Sequence, residues 1–199
     1  MSMQPNENNV ANELILKAIE IFSIKGYAAT NLTDITDALG ISRGPVYYHF
    51  KDKNGLYKAA FERYDNEVRQ SHADIVARDR HIINFIEDCI FDCAERNTRF
   101  GSNFFFGLDT IEELKDIKLK YDSLNQDIYQ EKLDYVERAI NKGEVRRSID
   151  PKTVADLIYV VYLGLLTALQ TRMLAGYTES EVRSLIRILL LGIERYCCD

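Results

Sequence analysis

The sequence has no tryptophan, and its 199 residues hold only 3 prolines, 10 glycines and 4 cysteines. So little proline and glycine excludes collagen-like and low-complexity chains. So few cysteines exclude a disulfide framework, and their placement suits a reducing compartment: Cys89 and Cys93 lie in an apolar run, Cys197 and Cys198 in a terminal pair. Long apolar runs are also missing. The longest charge-free stretch, Leu157 to Thr171, has 15 residues, short of the roughly 20 that a membrane helix needs. Met1 to Asn9 is polar, without the basic stretch and apolar block of a secretory signal. The expectation is a soluble, cytoplasmic protein.

Catalytic signatures are absent in the same way. There are no Walker-type glycines, no HExxH, GxSxG or CxxC, and only 3 histidines. An enzyme is therefore not expected, nor is a cofactor or a metal. Cys89 and Cys93 stand four apart on one helical face, a spacing open to a soft metal or to redox sensing. No nearby Cys or His completes a metal set at convincing spacing, and buried thiols are the plainer reading.

What is present is a core-forming composition, 46% apolar and 28% charged. The net charge of −6 argues against a polyanion partner until it is resolved along the chain. Residues 1–60 are neutral, and four of their cations fall between Arg43 and Lys58. The acidic excess belongs wholly to residues 61–199. Any contact with phosphate must be made by the small basic patch.

Apolar spacing is helical nearly throughout and no alternating run persists, so the expected fold is all-α with about nine helices. Leu14, Ala18, Ile19 and Phe22 mark a first helix that stops at Lys25-Gly26. Asn31 caps a second, with Ile35, Ala38 and Leu39 facing inward and Gly40 at its end. Ser42 caps a short third helix and Asp52 a fourth. Longer helices follow: Ile82 to Arg96, Leu119 to Asn141, one opened by Asp150-Pro151, and a last one started by the capping box Thr178 to Glu181.

Two short helices around Gly40-Ile41-Ser42 predict a helix-turn-helix, in which Gly40 supplies a positive φ and Ile41 plugs the turn. An ordinary helix corner, in a partner-binding protein that reads no DNA, is the bland alternative. Val46-Tyr47-Tyr48-His49-Phe50-Lys51-Asp52-Lys53 weighs against it, because a core helix would not crowd hydroxyls, an imidazole and ammonium groups together. A groove-facing helix would, since all of these reach phosphate oxygens.

Lys17 to Phe22, Gly26-Tyr27, and the run from Leu32 through Gly40-Ile41-Ser42 and Tyr48-His49-Phe50 to Lys53 and Leu56 resemble the DNA-binding domain of the TetR family. The resemblance implies a DNA-binding domain at 1–55 and a ligand-binding and dimerisation domain at 56–199. By position it assigns base contacts to Arg43 and Tyr48, with Gly44 and Pro45 shaping the leading end of the recognition helix. It assigns phosphate contacts to Thr33, Tyr47, His49 and Lys53, and places Asn31 at the start of the second helix. For Tyr47 the alternative is a half-buried staple between helices. The sequence departs from the family at Pro45, commonly Thr, Ala or Ser, and at Asn54-Gly55, usually an acidic pair, which weakens that helix start.

One copy of such a module makes few base contacts, so useful specificity needs a second, about one turn of DNA away. The helix from Pro151 to Ala175 is apolar almost all round, and the last helix repeats the pattern with Val182, Leu185, Ile186, Leu189, Leu190 and Ile193. A homodimer through a two-fold four-helix interface follows, with Leu165, Leu169, Ile186, Leu189, Leu190 and Ile193 as its residues. Aromatic side chains concentrate between the two regions. Phe85, Phe91, Phe104, Phe105, Tyr121 and Tyr129 are candidates to line a cavity for a small apolar or aromatic inducer, against the alternative of ordinary core. The acidic groups Glu87, Asp88 and Asp92 suit a cation or, more plainly, a solvated face. The functional expectation is a ligand-responsive repressor that leaves a palindromic DNA operator when its inducer binds.

Overall fold

The structure, a computed structural model, describes residues 7–170, 173 and 176–197. Among these it contains eight α-helices, one 3-10 helix and no strand. The helices are α1 (Glu7–Ala29), α2 (Leu32–Ala38), α3 (Gly44–Phe50), α4 (Lys53–Ala77), α5 (Ile82–Phe105), η1 (Glu112–Leu114), α6 (Lys115–Lys142), α7 (Pro151–Gln170) and α8 (Glu179–Cys197). Ala175, the expected end of α7, lies outside the described residues. No described helix is long and apolar enough to cross a membrane.

The ends of these helices follow from their caps. At α2 the Asn31 N–H donates 2.8 Å to the Asp34 carboxylate, while the Asp34 N–H returns to the Asn31 carbonyl at 3.0 Å. Gly40 takes φ +66° and Ile41 N–H closes on the Thr36 carbonyl at 3.0 Å, which ends α2 and turns the chain. At α8 the Thr178 N–H donates 2.7 Å to Glu181. Asp52 caps α4 through the Gly55 N–H at 2.7 Å. Three sequence expectations shift. The first helix does not stop at Gly26 but breaks there, at φ +77°, and resumes for one turn. The cap of α3 is Arg43 rather than Ser42, with Pro45 in the first turn, where its missing N–H costs nothing. Ala38 is exposed, because α2 is too short to bury more than Ile35 and Thr36 fully.

The chain divides into two compact units, Met1–Val68 with Arg96–Ser123 and Arg69–Glu95 with Leu124–Asp199. This division differs from a cut after residue 55. Leu56, Tyr57, Ala60 and Phe61 of α4, and Phe100 and Phe104 of α5, bury in the same cluster as Leu14, Phe22 and Ile35. The first unit is organised on aromatic rings. Phe22 meets Tyr57 edge-on at 5.0 Å, and Tyr57 stacks on Phe104 at 5.0 Å and donates its hydroxyl to the Phe104 carbonyl. In the second unit Phe85 stacks on Tyr135 at 3.6 Å, within a cluster that includes Ile86, Val136, Val154, Ile158, Ile186 and Leu190.

Phe104→Ala removes a fully buried ring from the first nucleus and should cost about 3–5 kcal/mol in urea unfolding. Phe106, its neighbour but one, is 77% exposed. A Phe104→Ala loss no larger than that of Phe106→Ala would show that this nucleus does not hold the unit together.

Candidate nucleic-acid interface

α3 has only 7 residues, and a helix this short has no stability of its own in water. It is held by Val46, which is fully buried in the cluster with Ile35 and Leu56, and by the partly buried Ile41 and Phe50 packed against the same cluster. With Val46 turned inward, its neighbours turn outward. Tyr47 is 53% and Tyr48 73% exposed, and Arg43 and Gly44 are exposed beside them. Tyr47 is therefore no half-buried staple. Pro45 and His49 are half-buried, and the His49 ring meets Tyr48 edge-on at 4.8 Å. Thr33 on α2 is half-buried and Asn31 exposed. The result is one solvent-facing surface carrying a guanidinium, two phenols and an imidazole, which suits the edges and phosphates of a duplex groove.

Lys53 is placed differently from its neighbours. Its ammonium donates to the carbonyls of Tyr27 and Thr30 at 2.9 and 3.0 Å and lies 4.3 Å from the centre of the Tyr27 ring. The break at Gly26 leaves these carbonyls at the end of α1, where a cation is favoured. Lys58 is paired with Asp116. Of the four cations in the expected basic patch, Arg43 and Lys51 are the exposed ones. Lys51 also sits at φ +71°, the left-handed region that a side chain enters only at a cost of about 1–2 kcal/mol.

Sequence reasoning missed the residues that brace this surface. Tyr27 donates to the Glu113 carboxylate at 3.0 Å, and burial pushes its hydroxyl pKa upward with Glu113 adding to the effect. Asn54 Nδ2 donates to the Glu113 carbonyl at 3.0 Å. These partners lie 59 to 86 positions apart, and no local pattern announces them.

The six aromatic candidates for a ligand pocket divide between the two units. Phe104, Phe105 and Tyr121 are in the first unit, and Phe85, Phe91 and Tyr129 in the second. Phe85 and Phe104 are fully packed, while Phe105 and Tyr121 are half-buried and stack on each other at 5.1 Å. Tyr129 donates 2.6 Å to Asp156. Phe91 lines a groove of about 460 Å³ in the second unit, together with Arg78, Arg80, Asp88, Arg183 and Arg187. That groove is charged rather than apolar. Arg78 and Arg80 converge on Asp88 at 3.0 and 2.9 Å, and Arg183 lies over the Phe91 ring at 4.0 Å. Cys89 is buried, which pushes its thiol up to about 12, and no cluster able to hold a metal occurs among the described residues.

The candidate pairing residues also divide. Ile186 and Leu190 are buried in the subunit's own core, Leu165 is half-buried, and Leu189 is 52% exposed. The side chains of Leu169 and Ile193 lie outside the described residues. Beside Leu189 the exposed apolar residues are Leu185, Ile188 and Leu191 on α8, and Leu157, Val160 and Leu163 on α7.

Comparison with known proteins agrees with this geometry. Residues 14–60 match the family model described as bacterial regulatory proteins, tetR family. The biofilm operon icaADBC negative transcriptional regulator IcaR of Staphylococcus aureus is 32% identical over 92 residues, which cover 44% of this chain and 50% of IcaR. The chain thus spans about half the length of that relative. Among solved structures, a TetR transcriptional regulator from Chloroflexus aurantiacus superposes with a TM-score of 0.73 at 22% identity, covering 96% of this chain and 94% of that one. The ketosteroid transcriptional regulator KstR2 of Mycobacterium tuberculosis gives 0.69 at 17% identity, with 96% of each chain covered. At these identities the two structures speak for the fold.

Two measurements check the bracing. Lys53→Met should lower the melting temperature, because two carbonyls lose a charged donor whose bonds are worth about 1.5–3 kcal/mol each at most. An unchanged melting temperature would show that these two bonds add nothing to stability. Asp34 is held below the usual carboxylate range, first by the Asn31 N–H and then by Lys25 at 3.0 Å. A carboxyl lowered in this way adds stability at neutral pH that is lost as pH falls through its folded value. Asp34→Asn should flatten the acid limb of the melting profile, and an acid limb identical to the parent's would show that the contact contributes nothing.

Proposed function

Residues 14–60 make this chain a member of the TetR family of bacterial regulatory proteins, and from that premise we propose that it is a dimeric repressor, released from a palindromic operator by a small molecule. The observation that carries the reading is the outward face of α3, with Arg43, Tyr47 and Tyr48 exposed around a single buried anchor, Val46. Arg43 at the leading end is the base reader, its fork suited to guanine O6 and N7. Tyr48 reads beside it, while Tyr47, His49 and Thr33 hold phosphates. The sense of regulation follows IcaR, which is named a negative regulator. Residues 1–55 do the reading and 56–199 the sensing and pairing. The protein works in the cytoplasm, without catalytic activity and without a cofactor.

Pairing is assigned to the exposed apolar faces of α7 and α8, with Leu165 and Leu189 joined by Leu163 and Ile188. Such faces are unfavourable in water and favourable in a four-helix contact with a second copy. The two recognition helices would then stand about one turn of duplex apart, roughly 34 Å. For the inducer, an apolar or aromatic molecule is assigned to the half-buried pair Phe105 and Tyr121, which stack on each other. A second reading is an organic cation in the charged groove, favoured by the Phe91 face, which already attracts the Arg183 guanidinium. A melting screen of planar aromatics against organic cations separates the two.

A gel-shift titration against the inverted repeat nearest the gene tests the reading. Arg43→Ala should weaken specific binding by about 1–3 kcal/mol and relax one base position while nonspecific binding changes little. Leu189→Arg should give a monomer in sedimentation and lose operator binding with it. Parent-like binding by Arg43→Ala would refute the contact, and a parent-like dimer of Leu189→Arg would refute the interface.

A further inference from the structure

The three residues that open α4 each fasten to a different element. Lys53 closes on the last carbonyls of α1, Asn54 donates to the Glu113 carbonyl of η1, and Gly55 abuts the end of α3. The last approach is very close: a Cβ on Gly55 would stand 1.9 Å from the Phe50 carbonyl oxygen. Only glycine lets α4 begin so near the end of the recognition helix. The elbow between α3 and α4 is therefore tight, with Lys51 at φ +71° inside it.

Asn54 is the unexpected member. Its Oδ1 is buried with no hydrogen-bond partner among the described residues, a state that native proteins avoid. An acidic side chain at this place would complement the positive end of the helix, but it would bury a charge rather than a neutral amide oxygen. The amide offers one thing that an acid lacks, an N–H donor, and that donor is spent on Glu113. Glu113 is reached from α1 as well, through the Tyr27 hydroxyl at 3.0 Å. One residue of η1 thus touches both helices that flank the reading surface.

Resting on the DNA-reading assignment, we propose that Asn54 is a positioning residue, which sets the angle of the recognition helix by tying the α3–α4 elbow to η1 through the Glu113 carbonyl. It touches no DNA. A displacement of η1 would reach α3 through this bond and the close Gly55–Phe50 approach, while Val46 keeps the helix seated.

The test uses the full chain and Asn54→Asp, which keeps the shape, removes the donor and adds a negative charge at the start of α4. Each protein is titrated with a duplex that the parent enriches from a randomised pool and with a scrambled duplex, and amide exchange is followed without DNA. For Asn54→Asp exchange should quicken in residues 44–50 and 112–114 while α7 stays unchanged, even if burial of the new charge lowers the melting temperature. The ratio of specific to scrambled affinity should fall about tenfold, with the salt dependence of scrambled binding unaltered. An unchanged ratio overturns the proposal, as does a fall in melting temperature with uniform loss of protection, the mark of a merely structural residue. If the parent enriches no duplex, the DNA reading fails by itself. Exchange then decides: quickening confined to α3 and η1 sustains the positioning role, and uniform exchange overturns it.

Discussion

A helix of two turns cannot hold itself together in water, and the proposed reading surface of this protein is carried on one. Everything around α3 answers that constraint. Val46 spends its whole side chain on burial, so the residues on either side of it are free to face solvent. The Gly40 turn delivers the chain to Arg43, whose carbonyl receives the N–H groups of Val46 and Tyr47 at 3.0 and 3.3 Å. At the far end, Lys53, Asn54 and Gly55 fix the elbow. The aromatic nucleus of Phe22, Tyr57 and Phe104 lies in the cluster that receives Val46 and makes the seat rigid. Dense packing here has a purpose beyond stability: side chains can read a groove only if their backbone does not move away from it.

Much of this was legible in the sequence because it is local. A cap is read from residues three apart, a turn from a glycine at the end of an apolar pattern, and an exposed face from polar groups clustered on a helix with one apolar anchor. Asn31 with Asp34, Gly40, and Tyr47 and Tyr48 were all found in this way. Lys53 is the harder case for the same reason. A lysine beside tyrosines reads as a phosphate contact, and its actual acceptors belong to a helix break 23 to 26 residues earlier. Glu113 was invisible, since its value lies in partners brought to it by packing.

The apolar segments show a different limit. Density of aromatic residues predicts burial, but it does not say whether rings enclose a space or fill it. Phe85 and Phe104 fill theirs. On α8 the spacing of three and four residues picks out Ile186, Leu189 and Leu190 together, yet Leu189 is exposed while its companions are buried. Apolar spacing marks a broad stripe on such a helix, and only its neighbours decide how much of that stripe is inside.

The break in α1 at Gly26 has a consequence for anyone wishing to transplant this reader. Residues 43–50 look like a cassette that could be exchanged between scaffolds to change what is recognised. Their footing, however, is a lysine held by the Tyr27 and Thr30 carbonyls just past the break in α1. A chimera that imports the short helix without the interrupted one, and without the glycine that lets the next helix crowd against it, imports letters without the page on which they are set.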